Sequence, residues 1–279
     1  MASVSEQLAS RINLGSIAKA EDLKKRILFT LLALIVYRIG SYIPVPGIDP
    51  VALEKVFERN VGGILGMFDM FAGGALGRMT IFALNIMPYI SASIIMQLLT
   101  VISPQLEQLK KEGEAGRKKI NQYARYGTVF LATVQGYGVA VGIENMSNSQ
   151  GIQAVMDPGT FFRLVTVITL VSGTLFLVWL GEQITQRGIG NGISLIIFTG
   201  IVAQLPLALS TTFELGRTGA LSTLFIVFLL VMSVAVIAFM VFIERAQRRL
   251  LVQYPKRQPG GAGSGSAPSS HLPLKINTS

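Results

Sequence analysis

The residues that usually carry chemistry are nearly absent from this chain. It has no cysteine and a single histidine, His271, in a polar tail. Thiolate metal sites, disulfides and a Cys nucleophile are therefore excluded, and His-based metal clusters and triads lack their ligands. An intramembrane hydrolase would need a Ser–His pair or paired Asp residues, and no apolar stretch carries either. No metal, cofactor or catalytic residue is expected, and the chain reads as a non-enzyme. Away from the ends of its apolar stretches, the charged and amide side chains are Arg38, Asn85, Gln97, Gln135 and Gln204. Arg38 stands within snorkelling reach of an interface. The amides are the kind that hydrogen-bond between helices. A coupled small-solute permease would place a carboxylate at mid-depth, and none is there. What remains is apolar: Ile86 and Ile90, four apart, share one helix face. They read either as packing or as a constriction that gates by excluding water. Pro88 between them would kink a helix.

The elements that must position these residues are membrane spans. The chain has 279 residues, 51% hydrophobic and only 14% charged, against roughly 25% charged in soluble domains. Apolar runs at Ile27–Ile43, Met79–Ile102, Tyr123–Ile143, Phe161–Leu180, Ile193–Leu209 and Leu221–Ile243 predict six spans. The segment Gly62–Arg78, GGILGMFDMFAGGALGR, is too short and too glycine-rich to cross. Broken backbone at membrane depth is tolerated only where protein buries it or where it lines a watery cavity. This half-helix therefore points to a path through the protein. The fold class is an all-α polytopic membrane protein with one re-entrant half-helix.

Eighteen of the 24 Lys and Arg residues fall in the N-terminal segment, the loops after spans 2 and 4, and the tail after span 6. Only Lys55, Arg59, Arg78, Arg163 and Arg217 fall in the opposite loops. The positive-inside rule then makes the N-terminus and the tail cytoplasmic. It also explains the net charge of +9 without sequence-specific nucleic acid as a partner, although a basic face can dock on an RNA-rich one. No signal peptide is predicted at the N-terminus. YIPVPGIDP after span 1 predicts an extended exit, fixed by its three prolines. KKEGEAGRKK predicts a flexible turn. GEQITQRGIGNG predicts a tight turn flanked by Glu182 and Arg187, not a phosphate-binding loop. ERAQRRLLVQYPKRQ reads as a basic arm, PGGAGSGSAPSS as a flexible tip, and HLPLKI as a return to ordered structure.

The strings RIGSYIPVPGID, MFAGGALGR, IFALNIMPYISASIIMQLLT, KKEGEAGRKKINQYARYGT, GEQITQRGIGNGIS, ERAQRR, YPKRQ and SSHLPLKIN resemble, in order, the N-terminal part of the bacterial SecY family. These are the channel subunits of the Sec translocon. The resemblance implies a ten-span channel of two pseudo-symmetric halves in the bacterial cytoplasmic membrane, working with SecE, SecG, the SecA motor and the ribosome. Such a channel conducts unfolded preproteins with signal sequences and releases apolar segments into membrane lipid. Residue by residue, it implies a plug helix at Ile64, Leu65, Met67, Phe68, Met70, Phe71 and Leu76. It implies pore-ring positions at Ile86, Ile90 and Ile197. One lateral-gate wall would lie on span 2, with Met79, Asn85, Pro88, Ser91 and Gln97. A ribosome or motor contact would lie on Arg245, Arg248, Arg249, Lys256 and Arg257. The implied organisation is a cytoplasmic segment 1–26, a first half 27–209, span 6 at 210–244 and a cytoplasmic loop 245–279. The family continues for four more spans, so this chain is expected to be a fragment that does not translocate alone.

Overall fold

The computed structural model describes residues 21–58, 66, 69–70, 72–150, 153–252 and 270–275. Of the expected sites, Ile64, Leu65, Met67, Phe68, Phe71, Lys256 and Arg257 lie outside the described residues, as does most of the N-terminal segment. The described elements are α1 (Glu21–Gly40), α2 (Pro50–Glu58), α3 (Met87–Ile102), α4 (Pro104–Lys111), α5 (Glu114–Gln150), α6 (Thr160–Arg187), α7 (Gly192–Arg217), α8 (Thr223–Arg245), β1 (Gln247–Val252) and β2 (Ser270–Lys275).

Each of the six expected spans contains a helix, so the all-α polytopic fold holds. Among the described residues, α5, α6, α7 and α8 are each long and apolar enough to cross a bilayer. A fifth candidate is the pair α3 and α4, which meet at a bend of 100°. Helix α1 opens on Glu21, Asp22, Lys24, Lys25 and Arg26, which shorten its apolar run.

Several boundaries differ from the sequence expectation. Span 2 was expected from Met79, but residues 81–86 are turns and the helix begins at Met87. Pro88 therefore sits in the first turn and does not kink the span. Proline fits there because the first helical N–H groups have no intrahelical acceptor. Pro50 likewise opens α2, so only Pro44 and Pro46 lie in the non-helical exit from α1. The expected flexible turn KKEGEAGRKK narrows to Glu112–Gly113, because Lys111 closes α4 and Glu114 opens α5. On α4, the exposed Lys111 pairs with Glu107 one turn earlier at 2.7 Å.

The chain divides into two units, residues 1–206 and 207–279. In the first unit two ion pairs fix the α5–α6 hairpin. Arg125 Nη2 meets Glu182 Oε2 at 2.6 Å, and Arg163 Nε meets Glu144 Oε2 at 2.7 Å. The helices are thus antiparallel. The same number of residues separates the two pairs on each helix, roughly 28 Å of rise. No Asp, Glu, Lys or Arg lies between them on either helix. That distance is close to the ~30 Å of a bilayer's hydrocarbon core, so the pairs stand at its two borders. The loop after α1 joins the Glu144–Arg163 end of the bundle through the bridge Ile48–Val155. At the other end, the N–H of Ile189, just past α6, donates to Thr30 Oγ1 on α1 at 3.2 Å.

The core has two parts. One gathers Val45, Leu53, Phe57, Leu76, Met79 and Leu170. The other gathers Tyr37, Phe82, Ile86, Leu177, Ile184 and Ile196. In the second unit, Ser222 caps α8, its Oγ accepting from the Phe225 N–H at 3.3 Å. The apolar surface of α8 is almost wholly exposed. The tail's basic arm and HLPLKI form an antiparallel ribbon, with Arg248 opposite Leu274 and Leu251 opposite His271. This two-stranded ribbon adds a small β element to the all-α expectation.

Candidate functional site: a broken entrance to a membrane helix

The site is the non-helical stretch that leads into α3. Gly73 (φ 68°) and Gly74 (φ 79°) adopt left-handed backbone, which glycine does without a steric cost. Met79 (φ 44°) and Asn85 (φ 49°) do so as well. Such conformations cost on the order of 1–3 kcal/mol each for residues with a Cβ, and persist only where surroundings enforce them. At Asn85 part of the enforcement is local, since its Oδ1 accepts the Ile86 N–H at 2.9 Å. At Met79 it comes from the loop after α1. The Val45 N–H donates to Met79 O at 2.9 Å, and the Ile81 N–H donates to Ile43 O at 3.0 Å. The turn before them is tied by Asp69, whose Oδ1 accepts the Gly77 N–H at 2.7 Å.

Two helices make room for this backbone. Gly73 lies against α7 so closely that an added methyl would fall 2.8 Å from Gly200 O. On α6, a methyl at Gly173 would collide with the Ile81 carbonyl. The stretch is therefore seated in glycine notches and borrows hydrogen bonds from a neighbouring loop. A helix would have supplied those bonds by itself.

The expected site residues that are described take the following places. Ile86 is fully buried and caps the N-terminus of α3. Ile90, one turn on, is half-buried against the same cluster. Ile196 enters that cluster and is fully buried, whereas Ile197 is half-buried and outside it. Of the plug positions, Leu76 is buried and Met70 exposed. Of the gate positions, Met79, Asn85 and Pro88 are buried, Ser91 is half-buried and Gln97 is exposed, its Nε2 3.5 Å from Ser93 Oγ. Arg245 ends α8, while Arg248 and Arg249 lie on β1.

Beside the entrance is a cavity of about 650 Å³, lined by Phe57, Leu76, Asn85, Ser91, Gln135 and Met146 among others. Among the described residues its walls are apolar, with two amides (Asn85 and Gln135), one hydroxyl (Ser91) and no charged side chain. Such a space suits an apolar segment. No group of three potential metal ligands occurs among the described residues. Sequence reading missed the two strained residues and both ion pairs. For the pairs a signal existed, because Arg and Glu bracket an uncharged run of equal length on both helices.

The SecY family model matches residues 80–279. The protein translocase subunit SecY of Rickettsia typhi is 58% identical over 260 residues, covering 93% of this chain and 60% of that protein. The Escherichia coli K12 subunit is 57% identical over 256 residues, covering 92% of this chain and 57% of that protein. The chain thus spans somewhat under two thirds of the length of these relatives. Among solved structures, one described as a protein conducting channel superposes with a TM-score of 0.62 at 19% identity, over 91% of this chain and 53% of that one. Sec61 from the canine ribosome-channel complex superposes with a TM-score of 0.57 at 19% identity, over 84% and 50%. At that identity the likeness is one of fold.

Proposed function

The chain belongs to the SecY family, and from that premise we propose that it forms the plug-bearing, entrance-bearing part of a protein-conducting channel. The observation that carries this reading is the fully buried Ile86, placed at a helix start directly after a strained, borrowed backbone. A helix that begins inside the bundle leaves a gap ahead of it, and an apolar side chain at the gap excludes water while binding no passing side chain strongly. Ile86, Ile90 and Ile197 act as part of the pore ring. The segment from Ile64 to Leu76 acts as the plug. Span 2, with Met79, Asn85, Pro88, Ser91 and Gln97, acts as one lateral-gate wall.

The transported chains are unfolded preproteins with signal sequences. The partners are SecE, SecG, the SecA motor and the ribosome, the last two meeting Arg245, Arg248, Arg249, Lys256 and Arg257. The membrane is the bacterial cytoplasmic membrane, with the N-terminus and the α8–β1 arm inside, in keeping with the asymmetry of Lys and Arg. The activity is transport and not catalysis.

A chimera tests this. Let the chain replace the matching part of the Escherichia coli relative, be reconstituted with SecE, SecG and SecA, and be assayed for import of a precursor into vesicles. Import is expected, and Ile86→Ser in the same chimera is expected to raise ion leak. A chimera that inserts correctly but imports nothing, or an Ile86→Ser variant that leaks no more than its parent, refutes the assignment.

A further inference from the structure

Four aromatic rings are linked in series through the broken entrance. Tyr37, on α1, stacks on Phe82 with ring centres 6.1 Å apart and planes 18° apart. Phe82 stacks in turn on Phe176 of α6, at 5.9 Å and 3°. Phe176 meets Trp179, the sole tryptophan of the chain, at 5.8 Å and 39°. Phe82 alone of the four belongs to the non-helical stretch. It is the largest side chain between Met79 and Ile86 and is 3% exposed. Its ring enters a notch on α1, where a methyl added at Gly40 would collide with Cε2. On α6, a methyl at Gly173 would stand 3.3 Å from Cδ1. Two helices thus grip one ring.

Two hydrogen bonds carry that grip forward to Ile86. The Asn85 N–H donates to Phe82 O at 2.9 Å, and Asn85 Oδ1 accepts the Ile86 N–H at 2.9 Å. Phe82 and Ile86 also share a buried cluster with Tyr37, Leu177 and Ile184. Backbone outside a helix or sheet has no regular ladder of its own to fix it. An aromatic ring suits the task of anchoring it, since the ring has few rotamers and stacks only in a narrow set of arrangements.

We infer that Phe82 is the positioning residue for Ile86. Stacked against Tyr37 and Phe176, it fastens the entrance to α1 and α6 and so sets where the apolar side chain stands at the start of α3. A ring that merely filled space would be replaceable by any apolar side chain of similar bulk, with Ile86 still buried. The role in conduction rests on the channel reading, whereas the positioning does not. In the channel, a change in the spacing of α1 and α6 is felt at the constriction through this ring.

Thiol labelling of the whole chain in detergent tests the positioning. The chain has no cysteine, so Ile86→Cys gives a single reporter. It should react slowly with N-ethylmaleimide, because Ile86 is fully buried. Adding Phe82→Leu should speed labelling about tenfold, the factor that corresponds to ~1.4 kcal/mol of lost stacking. Tyr37→Leu or Phe176→Leu, each removing one of the two stacks, should speed it about threefold. Tyr37→Phe, which keeps the ring, should not. Phe162→Leu, which removes a buried aromatic of α6 from the other part of the core, should leave the rate unchanged. Circular dichroism checks that the variants keep their helix content, and if Phe82→Leu does not fold, Phe176→Leu decides. An unchanged rate in the deciding variant, or an equal acceleration by Phe162→Leu, overturns the inference. In the Escherichia coli chimera, Phe82→Leu should raise ion leak as Ile86→Ser does. Leak from Ile86→Ser without leak from Phe82→Leu also overturns it. Leak from neither refutes the channel reading, and labelling then decides the positioning by itself.

Discussion

The α5–α6 hairpin and the stretch leading into α3 are built within one bundle by opposite means. The hairpin's backbone satisfies its hydrogen bonds within each helix, and its side chains close an ion pair at either border. The entrance into α3 borrows main-chain bonds from Ile43 and Val45 and keeps Met79 and Asn85 in strained conformations. The first can hold its shape whatever moves beside it. The second holds only while the loop after α1 and the notches at Gly173 and Gly200 stay in position. An element that must open belongs to the second kind, since local openings are drawn from the least self-sufficient parts of a structure.

The sharpest way to break this comparison is to fill a notch. Gly173→Val should drive the Ile81 carbonyl away and cost about 3 kcal/mol or more, the upper range for overpacking. Thermal unfolding in detergent reads the loss. A variant as stable as its parent would mean that the entrance does not lean on α6.

The next effect concerns Asn85. Asn85→Val places a branched side chain at φ 49° and removes the bond to the Ile86 N–H, for a cost of about 2 kcal/mol. Asn85→Gly removes the same bond but relieves the backbone, so its cost should be under about 1 kcal/mol. If glycine proves the worse of the two in chemical denaturation, strain is not what distinguishes the entrance.

The two ends of the hairpin should differ less. Glu144 is buried, whereas Arg125 and Glu182 are more exposed. Glu144→Gln should lower the unfolding midpoint further than Glu182→Gln, whose exposed pair contributes within about 1 kcal/mol. A double-mutant cycle with Arg163 and Arg125 measures both couplings, and equal couplings would erase the asymmetry.

The smallest effect is on α4, the polar helix past the end of the apolar run. The hydrogen bond and charge of Lys111 hold the Glu107 carboxyl below its ordinary value of 4.5. A carboxylate with a lowered folded value adds stability above its unfolded value and loses it as pH falls through the folded one. Acidification below that ordinary value should therefore weaken α4 slightly, and Glu107→Gln should remove the pH dependence seen in its amide exchange.

The hairpin was also the more legible region. Its helices follow from uncharged apolar runs, which composition alone reveals. The entrance was misread as the start of span 2 because TIFALNI is as apolar as a helix, and hydropathy cannot see φ. The cues were present in Pro88, which favours a first turn, and Asn85, which tolerates left-handed backbone better than most residues. The buried Ile86 was named from sequence, but its neighbour across the cluster was not. The resemblance pointed to Ile197, while the residue buried in the cluster with Ile86 is Ile196, its neighbour on α7. In the tail, HLPLKI read as a return to order but its partner was not legible, because pairing with Gln247–Val252 is a contact between distant parts of the chain.

That pairing has a mechanical consequence. Val252 and Ser270 pair across the ribbon, so the chain leaves β1 and re-enters at β2 at strand spacing. The length of the segment 253–269 is then uncoupled from the placement of Arg248 and Arg249. Doubling a closed loop adds only about 0.6 kcal/mol of closure entropy. The tip can be lengthened, shortened or replaced by an inserted tag with the register at its base unchanged. This makes it a natural attachment point for a probe on α8.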